Sequence, residues 1–264
     1  MPIKVDRDQR PDIDKRYQDF VVATTGSGGW PLTVFLTPSG EPFFGGTYFP
    51  PNDKFGIPGL RSVLIQIAEL WRTQKERIEA SAREIFEVMR KNSLNNEKGE
   101  LEEKLLYSAI DVLLQNIDYL RGGIKGAPKF HHSSAFELLT YYFFLEQDSK
   151  RNDQIELAIR RTLDSMGKGG IYDHLLGGFF RYSTDEEWII PHFEKTLPDN
   201  AELLKLYTLA YRALKMDLYK SVAQGIVRYY RKWGYDEKGG FYASQDADAL
   251  DLKEGEYYTF SLEE

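Results

Sequence analysis

The chain has no cysteine among its 264 residues. That excludes disulfides, thiol–disulfide exchange and thiolate metal ligands. No apolar run approaches the ~20 residues needed to cross a bilayer. The opening MPIKVDRDQRPDID has no hydrophobic signal region, so the expectation is a cytoplasmic protein with no membrane partner. A basic stripe is also missing. Residues 1–92 carry a net charge of +1 and the remainder −8, which gives −7 in all. Neither part has the footprint of a nucleic-acid binder. There is no phosphate-cradling or dinucleotide glycine loop, no serine nucleophile elbow and no HExxH spacing, so neither a cofactor nor a metal is expected.

What is present describes a globular chain of one or two domains, 42% hydrophobic and 28% charged. Ile3–Asp6 reads as a short strand. Pro11 opens a helix over about 12–24, with Ile13, Tyr17, Phe20 and Val21 on one face. Leu32–Thr37 is rich in β-formers, Pro38-Ser39-Gly40 is a turn, and 41–49 can return antiparallel. A long helix over about 58–91 follows, with an apolar stripe that includes Val63, Ile67, Leu70, Ile78 and Ile85. This order matches the last part of a thioredoxin fold, and Trp30-Pro31 falls where that fold keeps a cis-proline. The sequence itself leaves cis and trans open.

Residues 93–100 read as a linker. The pattern then becomes all helical, with helices expected over 101–120, 133–147, 152–166, 200–216 and 218–233. The fold class is therefore α+β followed by all-α, with domains at 1–92 and 101–264. Gly-Gly followed by an apolar residue recurs at Gly122-Gly123-Ile124, Gly169-Gly170-Ile171 and Gly239-Gly240-Phe241. Such pairs can be plain left-handed helix stops. They can also mark loops that gather at one end of a helical array, and the ionisable and aromatic density of APKFHH, YDHLLGGFFRYSTD and YASQDADALD favours that reading.

The stretches IKVDRDQRPDID, ATTGSGGWPLTVFLTP, PFFGGTYFPP, GAPKF, GGIYDHLLGGFFRYSTDEEW, PHFEKTLPDNA and GGFYASQDAD resemble the spermatogenesis-associated protein 20-like family. The resemblance covers nearly the whole chain. It implies a thioredoxin-like domain followed by a six-hairpin (α/α)6 toroid of the kind found in N-acylglucosamine 2-epimerases and related glycosidases. By that standard the first domain lacks its Cys-x-x-Cys segment and the toroid is incomplete, so the chain reads as an internal fragment. Phe180 stands where the family usually has a histidine, and Pro198 where it has a tyrosine.

The densest chemistry lies between Gly169 and Ala201. Paired carboxylates can act as acid and base on a glycosidic bond, and Glu194, Asp199, Asp246 and Asp248 are the catalytic candidates. His192 can move a proton next to a carbonyl. Tyr172, Asp173, His174, Arg181 and Trp188 are the candidates for substrate binding. Each has a plainer alternative. Asp199-Asn200 suits a helix N-cap, Asp246-Ala-Asp248 a solvated turn, and His192-Phe193-Glu194 a buried hydrogen-bonded pair. Asp246-x-Asp248 resembles a calcium loop, but Leu250 and Asp251 stand where a ligand and a glycine are needed. The expected function is binding or processing of a sugar-like small molecule. The alternative is a non-enzymatic thioredoxin-fold binding module with the helices as scaffold. Self-association, or association with the remainder of a longer protein, is the expected partnership.

Overall fold

The computed structural model describes residues 1–7, 9–54, 56–94, 102–146, 151–248 and 253–260. The chain divides into two units, 1–100 and 101–264. The expected linker lies outside the described residues except for its first two positions, which continue a helix. Asp251 and Leu250 also lie outside them.

In the first unit, α1 (Pro11–Thr25) begins with proline and ends at Gly26, whose φ of 82° only glycine adopts easily. It buries Phe20 and Val21. Strands β1 (Thr33–Leu36) and β2 (Pro42–Gly46) pair antiparallel across the Pro38-Ser39-Gly40 turn. α1 and α2 (Leu60–Leu94) both pack on β2. α2 is broken at Gln74, where φ is −136°. Phe43 of β2 stacks on Trp71 of α2 at 5.8 Å. The Trp30–Pro31 bond is cis.

One expectation fails here. Ile3–Asp6 is not a strand, and Ile3 and Val5 are exposed. A strand needs a partner for its backbone groups, and among the described residues this sheet consists of β1 and β2 alone.

The second unit holds α3 (Glu103–Asn116), α4 (Ser133–Leu145), α5 (Asn152–Lys168), α6 (Leu197–Leu214) and α7 (Asp217–Lys232). α4 pairs with α5 and α6 with α7 as consecutive helical hairpins. α4 also packs on α6, while α5 packs on α3 and α7, so the helices form two layers. Phe136, Ile155, Ile159, Leu163, Leu203, Leu206, Tyr207 and Tyr219 are completely buried between them. The Tyr207 hydroxyl donates to the Leu163 carbonyl at 2.8 Å.

Each connection that leaves α3 or α5 opens with the same turn, and the segment after α7 opens with a version of it that is one residue shorter. In the first, the Asp118 N–H donates to the Gly123 carbonyl and its carboxylate accepts from the Leu120 and Arg121 N–H groups. In the second, Asp173 does the same with Gly178, Leu175 and Leu176. In the third, Asp236 bonds Gly240 and accepts from the Lys238 N–H. Each turn is flanked by a single bridge: Ile117–Ile124, Tyr172–Phe179 and Tyr235–Phe241.

The repeat therefore runs through Gly177-Gly178, not Gly169-Gly170. Gly177 and Gly178 have φ of 90° and 81°, like the pairs Gly122-Gly123 and Gly239-Gly240. Gly169 is extended instead, at φ −80° and ψ 174°. A side chain on Gly170 would sit 2.0 Å from the Ile189 carbonyl, so close approach of two backbones explains that pair.

A buried lysine locks each of the first two turns. The Lys129 ammonium donates to Asp118 at 2.8 Å and to the Gly122 carbonyl at 2.7 Å. The Lys195 ammonium donates to Asp173 at 2.6 Å and to the Gly177 carbonyl at 3.0 Å. Their residues are 2% and 1% exposed. Removing one partner of a buried ion pair strands the other charge, at a cost of roughly 3–5 kcal/mol. Lys195→Met should therefore lower the unfolding free energy by about that amount. The double variant Lys195→Met/Asp173→Asn should recover much of it, as read by urea titration.

Candidate functional site

The three turns place their following segments side by side. β3 (Lys129–Phe130) pairs with β4 (Tyr182–Ser183), and β4 pairs with β5 (Pro191–His192). β6 (Lys195–Thr196) pairs with β7 (Ser244–Gln245). The loops after α3, α5 and α7 are thus hydrogen-bonded to one another at one end of the unit.

His192 is the centre of a charged group on this surface. Its Nδ1–H donates to Glu254 at 2.6 Å, and its Nε2 lies 3.6 Å from a Glu194 oxygen. Arg181 bonds the same Glu194 carboxylate at 2.7 Å, and its backbone N–H donates to the Glu194 carbonyl. Tyr182 stacks on the imidazole at 4.9 Å, with Phe130 behind it. Arg181, His192 and Glu194 are thus brought together, with Glu254 supplied from 62 residues further along.

The other expected residues lie elsewhere. α6 begins at Leu197, earlier than the sequence suggests, because Thr196 is its N-cap. Its hydroxyl accepts from the Asp199 N–H and donates to the Asp199 carboxylate, so Asp199 sits inside the first turn and is not the cap. Asn200 is buried and exchanges two hydrogen bonds with the Phe179 backbone. Asp246 and Asp248 are exposed, and Asp246 accepts from the Asp248 N–H as in a turn. Among the described residues, no hydrogen bond or ion pair links Asp199, Asp246 or Asp248 to His192.

Asp173 is committed to Lys195, and Tyr172 is packed against Gly225 of α7. His174 is exposed and donates to the Gly169 carbonyl. Trp188 is completely buried, its indole N–H donating to the Gly122 carbonyl at 3.3 Å and its ring lying over Gly123. It is a core residue.

Lys195, the residue after Glu194, lines a pocket of about 300 Å³. Tyr229, Tyr230, Trp233, Tyr242 and Tyr257 supply its aromatic walls, with Lys195, Ser244 and Gln245 as polar groups. Gln245 is held by the Tyr229 and Tyr258 hydroxyls. The Lys195 ammonium lies 4.1 Å from the centre of the Tyr229 ring, and burial keeps it below an ordinary amine although Asp173 opposes the shift. Burial pushes the Tyr258 phenol up to about 12. None of the ten expected residues lines this pocket. The signal that could have found it is Lys195, inside the predicted stretch, together with the Tyr229-Tyr230 pair beyond it.

His131 was also missed. It is buried, and its Nε2–H donates to the Phe180 carbonyl at 2.9 Å. Among the described residues, no three His, Asp or Glu side chains converge as metal ligands.

Residues 1–90 match the family described as Thioredox_DsbH, protein of unknown function, DUF255. Over 99% of its length the chain is 39% identical to spermatogenesis-associated protein 20 of Homo sapiens and 38% identical to that of Mus musculus. The chain is a relative of the spermatogenesis-associated protein 20 proteins. It spans 34% of the length of each. Cellobiose 2-epimerase from Spirochaeta thermophila is similar at 18% identity and a TM-score of 0.45, over 55% of this chain and 40% of that one. The expected resemblance is found, and the helices and strands themselves give the expected fold, α+β followed by helical hairpins.

Burial lowers the His131 imidazole from 6.5 to about 4, against the pull of Asp199. A base whose folded value is depressed is neutral in the fold, and the unfolded chain binds more protons between the two values. Stability should therefore fall as pH drops from 6.5 towards 4, with a slope of up to about 1.4 kcal/mol per pH unit from this group. His131→Asn should flatten that part of a denaturation-against-pH curve.

Proposed function

We propose that the loop end of the helical unit binds a sugar-like ligand and, in the longer protein of which relatives give the scale, acts on it by proton transfer. The observation that carries this reading is the His192 imidazole bracketed by Glu194 and Glu254, on the same set of joined loops as an aromatic pocket of about 300 Å³. Aromatic faces suit the C–H surfaces of a sugar ring, and a few fixed polar groups orient its hydroxyls. Gln245, Ser244 and Lys195 are such groups.

In this reading His192 is the acid–base group. Glu254 fixes its tautomer by accepting from Nδ1, which turns Nε2 toward the site. Arg181 holds Glu194 in place beside Nε2. An epimerase-like removal of a proton next to a carbonyl needs a positioned base, and the His192 imidazole is that base. A glycosidase-like reaction would instead use Glu194 and Glu254 as its two carboxylates.

The alternative is that the helical unit is a scaffold for a non-enzymatic thioredoxin-fold module. What favours it is the employment of Tyr172, Asp173 and Trp188 in packing and turn closure.

A panel of monosaccharides and disaccharides screened by tyrosine and tryptophan fluorescence, followed by turnover assays on any binder, separates the two. Binding that is lost in Trp233→Ala, with turnover lowered about 10²-fold or more in His192→Ala, is the expected result. No binder in the panel would leave the scaffold reading.

A further inference from the structure

Of the groups around His192, Glu254 is the one brought from a separate segment, and its own side chain has few anchors. The carboxylate accepts from the His192 Nδ1–H at 2.6 Å and from the Phe193 N–H at 3.3 Å. The side chain is 46% exposed. A long side chain half in water gains rotamer entropy by letting go. The backbone beside it is better held. Gly255 is buried with φ 78°, and a side chain on it would lie 2.4 Å from the Phe193 ring. Its carbonyl accepts from the Tyr258 N–H at 2.9 Å, which closes a single 3-10 turn over Glu256–Tyr258.

Tyr258 pins that turn to the rest of the unit. Its ring lies parallel to Phe193 at 5.7 Å and edge-on to Phe180 at 4.9 Å. Its hydroxyl accepts from the Gln245 amide, whose oxygen accepts from the Tyr229 hydroxyl of α7. Gln245 and Tyr229 are also walls of the aromatic pocket. Among the described residues, Tyr258 has no hydrogen bond or ring contact with His192 itself.

We propose that Tyr258 is a positioning residue for His192 and acts on it through Glu254. The proposal rests on the reading of His192 as the acid–base group. With Tyr258 seated on Phe193, the turn presents Glu254 to Nδ1. The proton then stays on Nδ1, and Nε2 is left as the nitrogen that takes a proton from a ligand. Without the Tyr258 ring the turn leaves Phe193, Glu254 swings into water, and the proton redistributes between the two nitrogens. Because Gln245 lines the pocket, the same turn joins the wall that meets the ligand to the base that acts on it.

Two-bond proton–nitrogen spectra of the full 264-residue chain, with isotope-labelled histidine, read the tautomer directly above the imidazole titration. Only four histidines are present, and His192→Gln identifies the signal. The unsubstituted chain should show His192 in the Nδ1–H form. Tyr258→Ala should lose that form, and Tyr258→Phe, which keeps the ring on Phe193, should retain it. Gly255→Ala removes no ring but drives the turn off Phe193, so it should lose the form too, and it decides the matter if Tyr258→Ala does not fold. Glu254→Ala should lose it directly. Adding Tyr258→Ala in that background should change the His192 signals no further, because a residue that acts through another has no effect once the other is gone. Retention of the Nδ1–H form in Tyr258→Ala and Gly255→Ala, or a second change of equal size in the Glu254→Ala background, overturns the proposal. These spectra need no ligand, so a sugar panel without a binder, alongside spectra as expected, sinks the sugar reading alone.

Discussion

The helical unit depends on a buried ammonium paired with a buried carboxylate, used twice. Lys129 with Asp118 and Lys195 with Asp173 are charges almost completely removed from water. Such a pair costs desolvation energy that its mutual attraction only partly offsets. Here each ammonium gains a second acceptor, a glycine carbonyl, and an aromatic ring. Each carboxylate gains backbone donors as well. Burial would raise the Asp118 carboxyl, yet Lys129 and the Arg121 N–H hold it below its usual value. The pairs are therefore fully satisfied, and what they fix is geometry. Each ties the turn at the end of one helix to the strand that leads into the next.

That connection is what gives the candidate site on the loops a fixed geometry. Long connections between helices are ordinarily the loosest part of a fold. Lys195 is anchored in β6, two residues after Phe193 and three after His192. Its grip on Asp173 fixes the start of the same connection in which it sits. The Arg181–Glu194 contact and the stack of Tyr182 on His192 then have little freedom left. β7 and the Glu254 carboxylate complete the group from the segment after α7. The loops are held by two ion pairs, one of which, through Lys195, also reaches the pocket.

The sequence made the architecture readable because the helices are amphipathic and the sheet strands are rich in β-formers. Each of the five expected helices of the second unit is present, with ends shifted by a few residues. The shifts have local causes, as where Thr196 rather than Asp199 caps α6. Ile3–Asp6 was misread because β-propensity says nothing about whether a partner strand exists. The site was legible only in part. Arg181, His192 and Glu194 lie within 14 positions of one another and could be grouped by eye. Glu254, Gln245 and Tyr229 come from other segments, and no spacing rule joins them.

The repeat shows why a pattern of letters can be found and yet placed wrongly. Gly169-Gly170 and Gly177-Gly178 are both glycine pairs followed by an apolar residue. Only the second pair follows an aspartate at the spacing the turn needs, four residues from Asp173 as Gly122 is from Asp118. The carboxylate organises the turn by accepting the N–H groups that a reversing chain leaves unpaired. The glycines then supply the left-handed conformation and the bare backbone that lets the next helix approach. Aspartate, not glycine, is thus the residue that identifies the unit. Read from the aspartate, the segment after α7 holds a variant of the turn, one residue shorter, in which Gly239 follows Asp236 by three positions.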